Sequence, residues 1–156
     1  MNRIDRDWLV DVLVASAWAA LVSAFPSTLW ELFTAGDPLE STRAAGAMLI
    51  PYDSSDAGLI AAACVVHVSI TLFWASIIAW LLPRQHIVWT SIAAAALIAF
   101  LDLQLIARFF FPDVYVLEFW PQFADPLAWG AGLGVALDWR WRERTMPAPE
   151  GQRVPT

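Results

Sequence analysis

The chain has 156 residues, 59% of them hydrophobic and 10 of them Trp, with a formal net charge of -6 and a mean hydropathy of +0.57. Those values belong to the membrane class and to a chain about one domain long. The nine basic residues are all Arg and dispersed, which excludes a nucleic-acid partner, and a lone Cys64 excludes an intramolecular disulfide, a Cys-based metal site and a thiol-disulfide enzyme centre.

The first apolar run extends from Trp8 to Phe25 and continues as helix through Pro26 to about Thr34, where Gly36 supplies a C-terminal stop. It reads as span one, 8-34, kinked at Pro26. Arg3 and Arg6 ahead of the run and Ser23-Ala24 within it imitate a cleaved signal peptide, but Asp11 and Trp18 inside the run favour a retained span. Asp37-Pro38-Leu39-Glu40 then has the form of an N-cap, a first-turn Pro and a third-position Glu, so a short helix over about 38-49 is expected along the outer surface. Asp53-Ser54-Ser55-Asp56 reads as the cap of span two.

Spans two and three, 57-82 and 87-111, are each long enough to cross a hydrocarbon core of roughly 30 Å at 1.5 Å per residue. Only Pro83, Arg84, Gln85 and His86 separate them, which predicts antiparallel neighbours. The fourth apolar segment, Pro126 to Leu137, reaches span length by including Trp139 and Trp141, with Asp125 as its cap. Span four is therefore 124-141. The domain is 1-144, and the polar, Pro-rich tail 145-156 is expected to be disordered.

Orientation follows from Arg, which is retained on the cytoplasmic side. Arg3, Arg6, Arg84, Arg140, Arg142 and Arg144 fall on one side of a four-span arrangement, and Glu31, Asp37, Glu40, Asp53, Asp56, Asp113, Glu118 and Asp125 on the other. Both termini are then cytoplasmic. Trp8, Trp80, Trp89, Trp139 and Trp141 form a belt at the cytoplasmic interface, with Trp30, Tyr52, Tyr115 and Trp120 at the outer one. Small residues four apart mark helix seams: Ser16/Ala20/Ala24 in span one, Ser91/Ala95/Ala99 in span three, and two ridges in span four, Ala128/Gly132/Ala136 and Gly130/Gly134.

Ionisable groups inside spans are costly, about 2.5 to 3.5 kcal/mol or more each, and are the first places to look for function. Counting from the Trp belt puts Ser23, His67, Asp102, Gln104 and Asp125 at a common depth of about 20 to 22 Å, with Arg108 one turn beyond Gln104. These five ionisable or polar groups, His67, Asp102, Gln104, Arg108 and Asp125, form the candidate cluster, in an outer-facing notch left by a short span four. Pro26 lies just above and deprives the Val22 carbonyl of its helical donor. A His67 to Asp102 hydrogen bond would be a packing contact; the same pair could share a proton, since imidazole titrates near neutral pH. Asp11 reads as an interfacial carboxylate at a helix start. No cofactor or metal is expected: one intramembrane His cannot make a bis-His haem site, and His67, Asp102 and Asp125 match no ligand spacing.

Ser23-Ala24-Phe25, His67 with Ser69-Ile70 and Phe73, and the basic end Trp139-Arg140-Trp141-Arg142 together resemble the YagU-type bacterial inner-membrane proteins, in the same order of long first span, outer loop, helical hairpin, outer loop and last span. The resemblance implies an acid-resistance role in the bacterial inner membrane. Small multidrug exporters also have four spans but carry a membrane-embedded Glu in the first helix, where this chain has only Asp11 near the edge.

The fold class expected is an all-α membrane protein, a four-transmembrane-helix bundle with a short outer-surface helix between spans one and two. The function expected is that of an accessory or oligomerising protein with a pH-responsive outer cluster, its partners the lipid bilayer and either itself or another membrane protein. No catalytic residue is assigned. A small ion or proton channel and an outer-leaflet enzyme with His67 or Asp102 as general base are the alternatives.

Overall fold

The computed structural model describes residues 6–34 and 36–145, and among them every regular element is helical. Arg3 and the expected tail beyond Thr145 lie outside the described residues.

The first apolar run forms two helices, α1 (Arg6–Ser23) and α2 (Phe25–Phe33), parted at Ala24. Pro26 has no N–H for the Val22 carbonyl and its ring crowds the preceding turn, so the ladder breaks just ahead of it. After α2 the Gly36 N–H donates to the Glu31 carbonyl at 2.8 Å, the long-range bond of a Schellman stop.

The expected helix over 38-49 is shorter in the structure: α3 is Glu40–Gly46. Asp37 caps the turn ahead of it instead, accepting from the Leu39 N–H at 3.0 Å, while its carbonyl accepts from Glu40 at 2.9 Å. Arg43 on α3 pairs with Asp37 and reaches to 3.6 Å from Asp56. Gly46 lets α3 lie directly on α4, because a Cβ there would overlap the Leu59 carbonyl.

Next, α4 (Asp56–Leu81) starts at Ser55, whose hydroxyl accepts from the Gly58 N–H at 3.3 Å. A 3-10 turn, Arg84–His86, leads into α5 (Ile87–Leu101), a π turn over Asp102–Ile106, and α6 (Ala107–Phe110). The π turn, in which the Ala107 N–H reaches the Asp102 carbonyl, has no marker in the sequence. The chain then passes through α7 (Pro112–Tyr115) to α8 (Phe119–Thr145).

Three helical stretches are long and apolar enough to cross a membrane: Arg6–Phe33, Asp56–Leu81 and Arg84–Phe110. At 27 residues α8 has the length but falls short in apolarity. It begins at Phe119 rather than near 124, because Pro121 occupies its first turn, where no donor is needed, and Phe119 stacks on Phe123 at 5.3 Å. Asp125 and Pro126 are thereby interior, and the notch that a short fourth helix would leave is filled by helix.

A central position belongs to α8, packed between α1 and α5 and also touching α2. Cβ atoms built at Gly130 and Gly134 would lie 2.6 Å from the Ala95 Cβ and from the Val88 Cα, so these glycines bring α5 to backbone contact. Gly132 faces α1, with Ala19 Cα at 3.4 Å from its built Cβ. On α1 the buried seam is Val12, Ala15, Ser16, Ala19 and Ser23; Ala24 of the expected ridge is exposed. The short turn between α4 and α5 does not make them close neighbours along their length. Instead α4 leans on α1 and α3, and α5 on the glycine seam of α8, which admits a backbone where larger side chains would hold it off.

Candidate functional site

The register of these helices gives the molecule a basic end and an acidic end. At the basic end Asp11, 1% exposed, accepts from Arg140 Nε at 2.9 Å and from an Arg144 terminal nitrogen at 2.7 Å. The same Arg144 nitrogen donates to the Asp7 carbonyl at 2.7 Å, and Arg84 lies over the Trp141 ring at 4.9 Å. Arg140 and Arg144 are one turn apart on α8, so both reach one carboxylate across the α1 seam. Sequence reading placed Asp11 at the interface; the signal for its pairing was the i, i+4 Arg pair, Arg140 and Arg144, at the same end of α8.

At the middle of the first span, two side chains from different helices hold the break. His67 on α4 places Nε2 at 3.2 Å from Ser23 Oγ and 3.3 Å from the Ala20 carbonyl, while Ser23 Oγ donates to that carbonyl at 3.1 Å. A carbonyl only accepts, so Nε2 carries the hydrogen. On the other side of the break Asp125 of α8 accepts from the Ser27 N–H at 2.9 Å. That N–H belongs to the first turn of α2, one of the donors a helix start leaves unpaired. The carboxylate thus caps the positive end of α2, and the imidazole caps the negative end of α1.

Toward the acidic end Glu31, 8% exposed, accepts from Ser41 Oγ at 2.6 Å, and Gln122 Nε2 donates to the same hydroxyl at 2.8 Å. This chain of bonds joins α2, α3 and α8. The second carboxylate oxygen, Oε2, is buried with no hydrogen-bond partner. Trp30 Nε1 donates to Glu118 at 2.6 Å. Between them lies a cavity of about 330 Å³ lined by Trp30, Glu31, Glu40, Leu117, Glu118 and Gln122 among others. A smaller one of about 190 Å³ adjoins it at Leu117 and Gln122. On the surface beside them, the Leu39 N–H and then Arg43 hold the Asp37 carboxyl below its ordinary value, and Asp37 and Tyr52 raise the Arg43 guanidinium.

The five residues of the sequence-derived cluster do not bond to one another. His67 is tied to α1 and Asp125 to α2, on opposite sides of the same break. Asp102 is half-buried in the π turn, Gln104 lines the smaller cavity, and Arg108 is exposed. Glu31, Ser41 and Gln122 carried no signal in sequence, because their meeting depends on where α3 and the start of α8 come to rest. Among the described residues no three His, Cys, Asp or Glu side chains gather as metal ligands.

No family model, curated protein or solved structure matches the chain. Its own geometry therefore carries the functional reading.

Proposed function

We propose that the chain is a small inner-membrane protein of bacterial type, crossing the bilayer four times with both termini cytoplasmic, and acting as a pH-responsive accessory or self-associating subunit. The observation that carries this reading is the clamped break in the first span, where each half-helix end is held by a titratable side chain of another helix. Protonation of Asp125 removes the negative charge from the positive end of α2 and weakens its hold on the Ser27 N–H. Glu31, one turn along α2, is the charged group acting on Asp125, and no basic side chain pairs with it among the described residues. Acid therefore releases α2 from α8. The resemblance to YagU-type proteins, associated with acid resistance, points the same way.

The test is a spin-label distance between Leu29→Cys on α2 and Val135→Cys on α8, in a Cys64→Ala background in liposomes. A distribution that broadens on acidification, and is already broad at neutral pH in Asp125→Asn, is the expected result. A distance independent of pH in both proteins defeats the reading.

A second reading, proton transport, is favoured by the buried face of the first span, which carries Asp11, Ser16, Ser23, Ser27 and Glu31 at intervals between Val12, Ala15 and Ala19. Proton flux into dye-loaded liposomes that is lost in His67→Ala or Asp125→Asn would select it.

A further inference from the structure

We propose that a second copy of this chain docks on the outer part of α5 and its π turn, with Arg108 of one copy paired to Asp102 of the next. The inference rests on the self-associating reading above and names the contact that would carry it. Both side chains lie in Arg84–Phe110, a helical stretch long and apolar enough to cross a membrane. Asp102 is half-buried and Arg108 exposed, and among the described residues neither side chain has a hydrogen-bond or ion-pair partner. That sets them apart from Asp11, Asp125 and Arg140, each of which is held by another helix. A charge left alone in a span is costly, and a partner of opposite sign relieves the cost.

The chain cannot pair the two with each other. Asp102 opens the π turn and Arg108 follows it six positions on, neither one turn nor two, so they leave the helix on different faces. This helix buries Ala95, Ala99 and Ala107, whereas Leu105 and Phe109, beside Arg108, are exposed. Opposite charges on different faces of one helix complement each other between copies, which makes the contact heterologous: the Asp102 patch of one copy meets the Arg108 patch of the next. Copies inserted in one orientation run α5 the same way, so Arg108 lies at most about 9 Å further along the axis than the Asp102 it meets. Side chains on a helix lean toward its N-terminus. On α5 that is toward the level of Asp102, and the long arginine side chain covers most of the rise.

The test uses full-length protein labelled with donor and acceptor dyes at Gln85→Cys, in the Cys64→Ala background, in phosphatidylcholine vesicles of varied protein-to-lipid ratio. Energy transfer above the random-encounter level is expected, and in Asp102→Asn or Arg108→Gln the association should weaken by about tenfold. Mixing the two variants should restore it, since Arg108 of the first can meet Asp102 of the second. Association left at wild-type strength by either variant overturns the pair but leaves self-association standing, as when Arg108 reaches only a lipid phosphate. A mixture that does not recover also overturns the pair, and a wild type without transfer overturns both. Neither substitution removes a contact within the chain, so helical content should be unchanged. Should one variant lose it, the other decides when mixed with wild type: it should associate with wild type more tightly than with itself, and equal association refutes the contact.

Discussion

Asp11 accepts from two guanidinium groups yet is almost wholly buried, and its Oδ2 has no partner. An ion pair desolvated on one side only is held by the charge remaining on the other. Removing that carboxylate leaves Arg140 and Arg144, 25% and 36% exposed at their side chains, without the group that draws them inward. Asp11→Asn should therefore destabilise the fold by about 3 kcal/mol, the low end for breaking a buried pair, because both arginines can turn to water. Arg142→Gln, which removes a surface i, i+4 partner of Asp138, should cost under about 1 kcal/mol. Reversible unfolding in mixed micelles measures both, and equal losses would mean that Asp11 is no more than a surface partner. Asp37 behaves differently, being exposed at the surface beside Arg43. Its folded pKa lies below the free value of 3.8, so its contribution to holding α3 is complete well above that pH and fades as the pH falls through the lower, folded value. A nitroxide at Thr42→Cys, in the Cys64→Ala background, should be immobile at neutral pH and gain mobility below about pH 4. In Asp37→Asn it should be mobile throughout; immobility there would show that Gly46 packing alone seats α3.

Glycine spacing on α8 sets the relation between elements, and its two faces make opposite demands. At Gly134 an added methyl would press on the Val88 Cα, backbone that cannot swing aside, whereas at Gly132 it would make an ordinary contact with Ala19. Helix propensity favours Ala over Gly by about 1 kcal/mol at either site, and overpacking costs about 1 to 3 kcal/mol. Gly134→Ala should thus lower stability by a net amount of about 1 kcal/mol, while Gly132→Ala is neutral or raises it by up to about 1 kcal/mol. Thermal melts in detergent separate them, and two variants that move together would show that α5 is free to shift. The all-helical class and the three long apolar helices were legible in sequence because length and hydropathy alone decide them. Ser55 and Gly36 were legible because caps are local chemistry. What escaped was decided by tertiary contact: the early start of α8 rests on Pro121 and Phe119, the π turn at Asp102 has no propensity signal, and Glu31 is buried only because α3 and Gln122 close over it.

For the whole molecule, the cross-helix contacts fix the relative directions of the first span, α5 and α8. Asp11 meets Arg140, Ala19 lies by Gly132 and Ser27 meets Asp125, so the first span and α8 are antiparallel. Val88 lies by Gly134 and Ala95 by Gly130, so α5 runs with α1 and against α8. The proposed fourth crossing rests on this arrangement: α8 lies between the first span and α5, at backbone contact with α5, despite its polar ends. Those ends are accounted for: Arg140 and Arg144 spend their charge on Asp11, and Asp125 on the break in the first span. Sided labelling of single cysteines with a membrane-impermeant maleimide tests this in the Cys64→Ala background. On the proposed topology Ser54→Cys and Val116→Cys should react from one side, and Gln85→Cys and Glu143→Cys from the other, which the retention of arginine would make the cytoplasmic side. Position 143 is the decisive one. Reaction of Glu143→Cys from the same side as Val116→Cys would place both ends of α8 on one face of the membrane, leaving only the three apolar helices to span it.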